Sequence, residues 1–180
     1  MTPSGTQLVR DIREPLFDTY TIAKNTAMPL RIILFGNPST SGVGATKPEV
    51  TNLTMVGQLP NPEHHDVYTV MVDFINMLAA DVMGICQAYV LRVAVSGRNL
   101  LTLPLHVSTP FDLVNTIASD IIPFAQVKVD LPEDYKISID NGAPFYAEFV
   151  GSTAYSTVNT NGQGAYIRVK LDGVHTVMVS

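Results

Sequence analysis

Apolar and polar positions alternate with a period of two over most of this chain, the spacing of strands that bury one face. Leu16 to Ile22 alternates in this way, with Leu16, Tyr20 and Ile22 on one side. Leu30 to Phe35 is apolar on both faces once Arg31 is set aside. Leu30, Ile32 and Leu34 form one row and Ile33 and Phe35 the other. Such a strand is covered twice. In a two-sheet sandwich the opposite sheet supplies one cover and a loop or a neighbouring subunit the second, so Ile33 and Phe35 are the expected outward contacts.

A loop of Gly, Ser, Thr and Pro follows, then Asn52 to Val56, the turn Gly57 to Pro62, and a second strand alternating over Tyr68, Val70, Val72 and Phe74. Two strands joined by a long, turn-rich excursion are how a β-sandwich crosses between sheets. Met77, Leu78, Asp81, Val82 and Ile85 suit a short amphipathic helix over Asn76 to Ile85. Tyr89 to Val95 and Leu100 to Val107 read as antiparallel neighbours turned by Ser96-Gly97-Arg98-Asn99. Thr109-Pro110 opens a second short helix, Phe111 to Ser119, which Pro123 terminates.

In the last third Tyr135, Ile137 and Ile139 line one face, and Ala143, Phe145, Ala147 and Phe149 line the next. A three-residue loop, Asp140-Asn141-Gly142, pairs Ile139 with Ala143 and Ile137 with Phe145 in a hairpin with Gly142 in the left-handed position. Ile167, Val169 and Leu171 mark a closing strand that Gly173 can bulge. His175 then faces the core against a backbone carbonyl unless that bulge reverses its phase.

Residues 1–15 lack periodicity and end at Pro15. They are expected to be a tying arm ordered only by a neighbour, with Arg10 and Arg13, offset by Asp11 and Glu14, counted among the subunit-interface residues. Residues 16–180 are expected to form one domain of eight to ten short strands and at most two short helices, an all-β sandwich of a kind that includes the jelly roll.

Composition turns this fold toward assembly. The chain has 180 residues, enough for one domain with a self-sufficient core. Charged residues are 15% of it, against roughly 25% in ordinary soluble domains, and the mean hydropathy is +0.21. Part of the surface is therefore expected to be covered by other subunits. A net charge of -5 with eleven scattered basic residues argues against direct nucleic-acid binding. No stretch reads as a membrane span or a signal peptide, so the protein is expected in the cytoplasm until it is built into something.

Candidate chemistry is sparse. The lone Cys86 lies in the apolar run Met83-Gly84-Ile85-Cys86 and reads as an inert core thiol. Gly42-Val43-Gly44-Ala45-Thr46-Lys47 follows a strand but lacks the Gly-Lys-Ser/Thr order of a phosphate loop and reads as an inter-sheet loop. Glu63, His64, His65 and Asp66 could supply metal ligands, yet adjacent histidines on an extended chain point to opposite sides. Cupins, an enzymatic use of this architecture, space two histidines one residue apart, and His106 and His175 sit in no matching context. Asp130, Glu133 and Asp134 cluster at Pro132 in an apparent solvated turn. Asn52-Leu53-Thr54 matches a glycosylation acceptor with no secretory signal beside it. No catalytic residue, metal site or cofactor is expected.

The arrangement from Leu30 to Ile75, with Gly57-Gln58-Leu59-Pro60 before a valine-rich strand, and the Gly-containing strand Ile167 to Val174 resemble viral single jelly-roll capsid proteins. The nearest likeness is the smaller of two major capsid proteins of tailless icosahedral phages with an inner membrane, the Thermus-phage type. That resemblance implies a virion protein made in the host cytoplasm, self-associating into capsomers beside a second capsid protein and close to an internal membrane. Two other readings stay open. A sugar-binding sandwich, such as a phage spike or receptor-binding domain, needs exposed aromatics on one face. A cupin-like metalloenzyme needs a metal.

Overall fold

The computed structural model describes residues 8–22, 26–36, 51–105, 121–156 and 165–179. They contain ten strands and one α-helix: β1 (Leu8–Arg13), β2 (Leu16–Ile22), β3 (Arg31–Leu34), β4 (His64–Leu78), α1 (Ala79–Ala88), β5 (Tyr89–Val95), β6 (Arg98–Pro104), β7 (Ile121–Asp130), β8 (Ile137–Ile139), β9 (Phe145–Gly151) and β10 (Ala165–Val179). The expected helix over Phe111 to Ser119 and the glycine-rich loop at 42–47 lie outside the described residues.

Two antiparallel sheets face each other. In the first, the 15-residue strands β4 and β10 run side by side. Each is flanked on its outer edge by two shorter strands in succession: β2 then β1 along β10, and β7 then β8 along β4. The second sheet has the order β3-β9-β5-β6. With β1 and β8 set aside, β2 pairs with β10, β3 with β9, β4 with β7 and β5 with β6. Early strands thus pair with late ones, as in one long hairpin rolled into a sandwich, and this is jelly-roll topology. The excursion after β3 crosses from the second sheet to the first, as its turn-rich composition predicts.

The core lies between the sheets and follows the inward phase of each strand. Val70, Val72 and Phe74 of β4 and Ile167, Val169 and Leu171 of β10 face Leu91 and Val93 of β5 and Phe145, Ala147 and Phe149 of β9, all of them buried. The register of β4 on β10 shifts between Asp172 and Gly173, leaving Tyr68 as the extra residue on β4. This bulge sits at the predicted glycine, and it puts Tyr68 out of phase with Val70, Val72 and Phe74. A Cβ on Gly173 would lie 1.8 Å from the carbonyl oxygen of Asp66, so only glycine fits there.

The helix begins three residues later than its apolar spacing suggested. Strand β4 runs on to Leu78, changing phase at Asn76, whose φ of 55 leaves both Phe74 and Met77 buried, and helix starts only at Ala79-Ala80. It buries Ala79, Val82, Ile85 and Cys86 and carries the chain from the first sheet to the second.

The hairpin expected over 135–149 does not form. Ile137–Ile139 pairs with β4 in the first sheet, while Phe145–Gly151 sits between β3 and β5 in the second. Residues 140–144 are a crossing between sheets. Both segments bury one face, and a period of two does not say against which sheet. Gly142 does adopt the left-handed conformation, with φ +67, in a turn closed by Ala143 N–H donating to the Asp140 carbonyl. Tyr135, expected on the buried row with Ile137, is 75% exposed because a single 3-10 turn, Glu133–Tyr135, precedes the strand.

The amino-terminal segment departs from expectation too. Leu8–Arg13 is a strand on the chain's own β10, in register from Leu8 opposite Val179 to Arg13 opposite Val174. This part of the arm therefore pairs with the chain's own first sheet.

Candidate subunit interface

The outer faces of the two sheets differ in chemistry. On the first sheet Phe124, 45% exposed, and half-buried Met71 and Ile75 share the outer face with polar groups that satisfy one another. Buried Asp73 lies 2.6 Å from Lys170 Nζ and accepts from Gln126 at 2.7 Å. Arg168 donates to Thr19 at 3.1 Å and lies over the Phe17 ring. On the second sheet the outward residues are aliphatic around one ion cluster. Arg31 and Ile33 of β3, Tyr146, Glu148 and Val150 of β9, Val90 and Arg92 of β5, and Thr102 and Pro104 of β6 share that face. Ile33, Val90, Tyr146, Val150 and Pro104 are half-buried, and Leu100, the extra residue where β6 slips against β5, is 50% exposed.

Glu148 sits at the centre of this face and is 6% exposed. Arg31 Nε donates to it at 2.6 Å, and Arg92 Nη1 stands 3.7 Å away. A carboxylate this covered needs compensating charge, which the two arginines supply from the strands on either side. Their own side chains remain 58% and 42% exposed. The cluster holds two cations and one anion, and Arg92 Nε is buried without an acceptor among the described residues. The exposed parts of the two guanidinium groups are what a carboxylate arriving from outside can reach, beside an apolar floor.

Ile33 lies on this face as expected. Phe35 does not: it is fully buried, its ring 5.6 Å from that of Phe145 in the core. Its backbone is left-handed, with φ +65, and its N–H donates to the buried carboxylate of Asp18 at 2.6 Å. That turn breaks the alternation, so Leu34 and Phe35 both point inward. Arg10 and Arg13 are exposed on β1, at the edge of the other sheet, where Arg13 reaches Asp172 at 3.4 Å. The structure does not bring them together with Ile33. The residues that build the patch, Glu148, Arg92, Val90, Tyr146 and Val150, were not singled out from sequence. Their signal was an outward phase mixing valine and tyrosine with one acid and one arginine.

The remaining candidates resolve locally. His64 and His65 point to opposite sides, as their adjacency implies. His64 bridges Asp140 at 2.9 Å and Asp66 at 3.0 Å. His65 is buried and bonded through Nε2 to the Leu171 carbonyl at 3.0 Å. A carbonyl only accepts, so Nε2 carries the proton and Nδ1 is bare, with no partner among the described residues. Burial pulls the His65 pKa down to about 4 against the smaller opposing effect of that bond. The bulge leaves His175 half-buried, its Nε2 3.1 Å from Glu63 and its ring edge-on to His65. Burial raises the Asp66 carboxyl, but bonds from Lys136, Ser138 and His64 outweigh it and hold the pKa below its ordinary value.

A recess of 170 Å³ beside Glu63 and His175 is walled by Leu16, Leu53, Leu59 and Pro60. Among the described residues no group of three or more His, Cys, Asp or Glu is placed to hold a metal. Burial pushes the Cys86 thiol up to about 12, which suits core packing rather than nucleophilic attack. The Asn52 amide donates to the Pro15 carbonyl at 2.7 Å and accepts from Phe17 N–H at 2.8 Å, pinning the loop to the start of β2. Among the described residues no helix is long and apolar enough to cross a membrane. Set against known protein families and curated proteins, the chain matches no family model and no curated protein.

Proposed function

We propose that this chain is a structural virion protein, a single jelly-roll capsid subunit that assembles into the capsomers of an icosahedral shell. The observation that carries the reading is the outer face of β3-β9-β5-β6, where half-buried aliphatic residues surround a covered carboxylate and two half-exposed arginines. Half-buried aliphatic residues beside a tyrosine and two arginines, residue types enriched where proteins meet, suit a protein contact. The jelly-roll topology is compatible with the same reading, since sandwiches of this type build many shells. By resemblance, the subunit is made in the host cytoplasm and stands in the virion beside a second capsid protein, near an internal membrane.

Negative-stain electron microscopy of concentrated protein tests the proposal. Rings or lattice patches with a regular repeat are the expected outcome. Unassembled particles at every concentration, with or without a co-expressed partner capsid protein, contradict it.

A further inference from the structure

The interface face looks outward from the second sheet, and a complementary patch lies on the first. The Glu133–Tyr135 turn connects β7 to β8 and is anchored at both ends. Asp130 accepts from Thr69 at 2.7 Å and lies 3.0 Å from Lys128, while Lys136 reaches Asp66 at 2.6 Å. Between these anchors Glu133, Asp134 and Tyr135 are exposed. Neither acid makes a side-chain hydrogen bond or ion pair among the described residues. Tyr135 is the most exposed of the large apolar side chains, at 75%. An aromatic flanked by two unpaired carboxylates on a fixed turn has the composition of an interface anchor.

Each patch has what the other lacks. The face offers the exposed guanidinium groups of Arg31 and Arg92 and an apolar floor of Val90, Val150 and Tyr146. The turn offers two carboxylates and one aromatic ring. The patches belong to opposite layers of the sandwich, so they meet between chains and not within one. We propose that the Glu133–Tyr135 turn of one copy docks on the Arg31–Arg92 face of a second copy, with carboxylate bound to Arg92 and Tyr135 laid on the aliphatic floor. This deepens the capsid reading and rests on it by naming the two surfaces that join. The contact is heterologous, so each copy gives a turn and receives one, and repetition produces a ring or a lattice.

Charge reversal tests the pairing. Arg92→Glu sets acid against acid, and Glu133→Lys with Asp134→Lys sets base against base. Each variant alone is expected to self-associate about tenfold more weakly or less, the effect of placing like charges across a contact. An equimolar mixture is expected to regain association in sedimentation velocity, because the basic turn fits the acidic face and the native turn fits the native face. Circular dichroism checks folding, and Arg92→Ser, which adds no charge, replaces Arg92→Glu if the latter unfolds and is itself expected to weaken association. Wild-type association in the variants overturns the proposal, as does a mixture that stays dissociated, while a self-associating wild type leaves the capsid reading standing. A wild type that is monomeric at every concentration overturns the docking of copies, and if it also stays unassembled beside a co-expressed partner capsid protein it removes the capsid reading too.

Discussion

His65 is a neutral imidazole enclosed beside the β4–β10 bulge, and its environment sets how the fold responds to acid. Its folded pKa of about 4 lies below the ordinary value of 6.5, so between those limits the unfolded chain binds more protons than the folded one. The sign follows: this histidine weakens the fold as pH falls from 6.5 to 4 and adds no further loss below 4. Complete titration through that window costs about 3 kcal/mol at 1.4 kcal/mol per pKa unit. Urea midpoints measured at pH 7 and pH 4.5 are expected to separate in the wild type and to converge in His65→Gln, whose amide keeps a donor and does not titrate. Equal separation in both proteins excludes His65 as the source. Phe35 shows how far one residue departs from its row. A left-handed backbone tied to Asp18 converts an expected surface contact into core, and nothing in the alternation of Leu30 to Phe35 carries that turn.

At the scale of elements, β10 and its glycine hold the first sheet together. Gly173 admits the Asp66 carbonyl where any Cβ collides with backbone, and backbone has no rotamer by which to yield. Gly173→Ala is therefore expected to destabilise the protein by roughly 3 kcal/mol or more, at the severe end of single substitutions. Urea unfolding measures it, and a loss within about 0.5 kcal/mol, the range of ordinary surface changes, contradicts the close approach. This bulge was legible in the sequence, because a glycine inside a clean alternation has few other uses. The β5–β6 hairpin was legible as well. Ser96 and Gly97 both take positive φ in the two-residue turn between Val95 and Arg98, the geometry that matches strand twist. The 137–149 pairing was not legible. Ile137–Ile139 and Phe145–Gly151 have equivalent patterns, and only the tertiary pairing of β8 with β4 and of β9 with β5 assigns them to opposite sheets.

For the whole molecule, low charge content and the half-buried aliphatic residues on the outer face of the second sheet are what the proposed contact between copies rests on. The sequence carried the sandwich architecture and one member of the outward patch, Ile33. It did not carry Glu148 and Arg92, which are 56 positions apart and meet only because β5 and β9 are neighbours with these residues in register. The measurement that bears most directly on the account is sedimentation velocity over a range of protein concentration at low and high salt. A mass that rises above 19.5 kDa with concentration, with association weakened by salt as its ion pairs are screened, is the expected result. A constant mass of one chain under all conditions contradicts it.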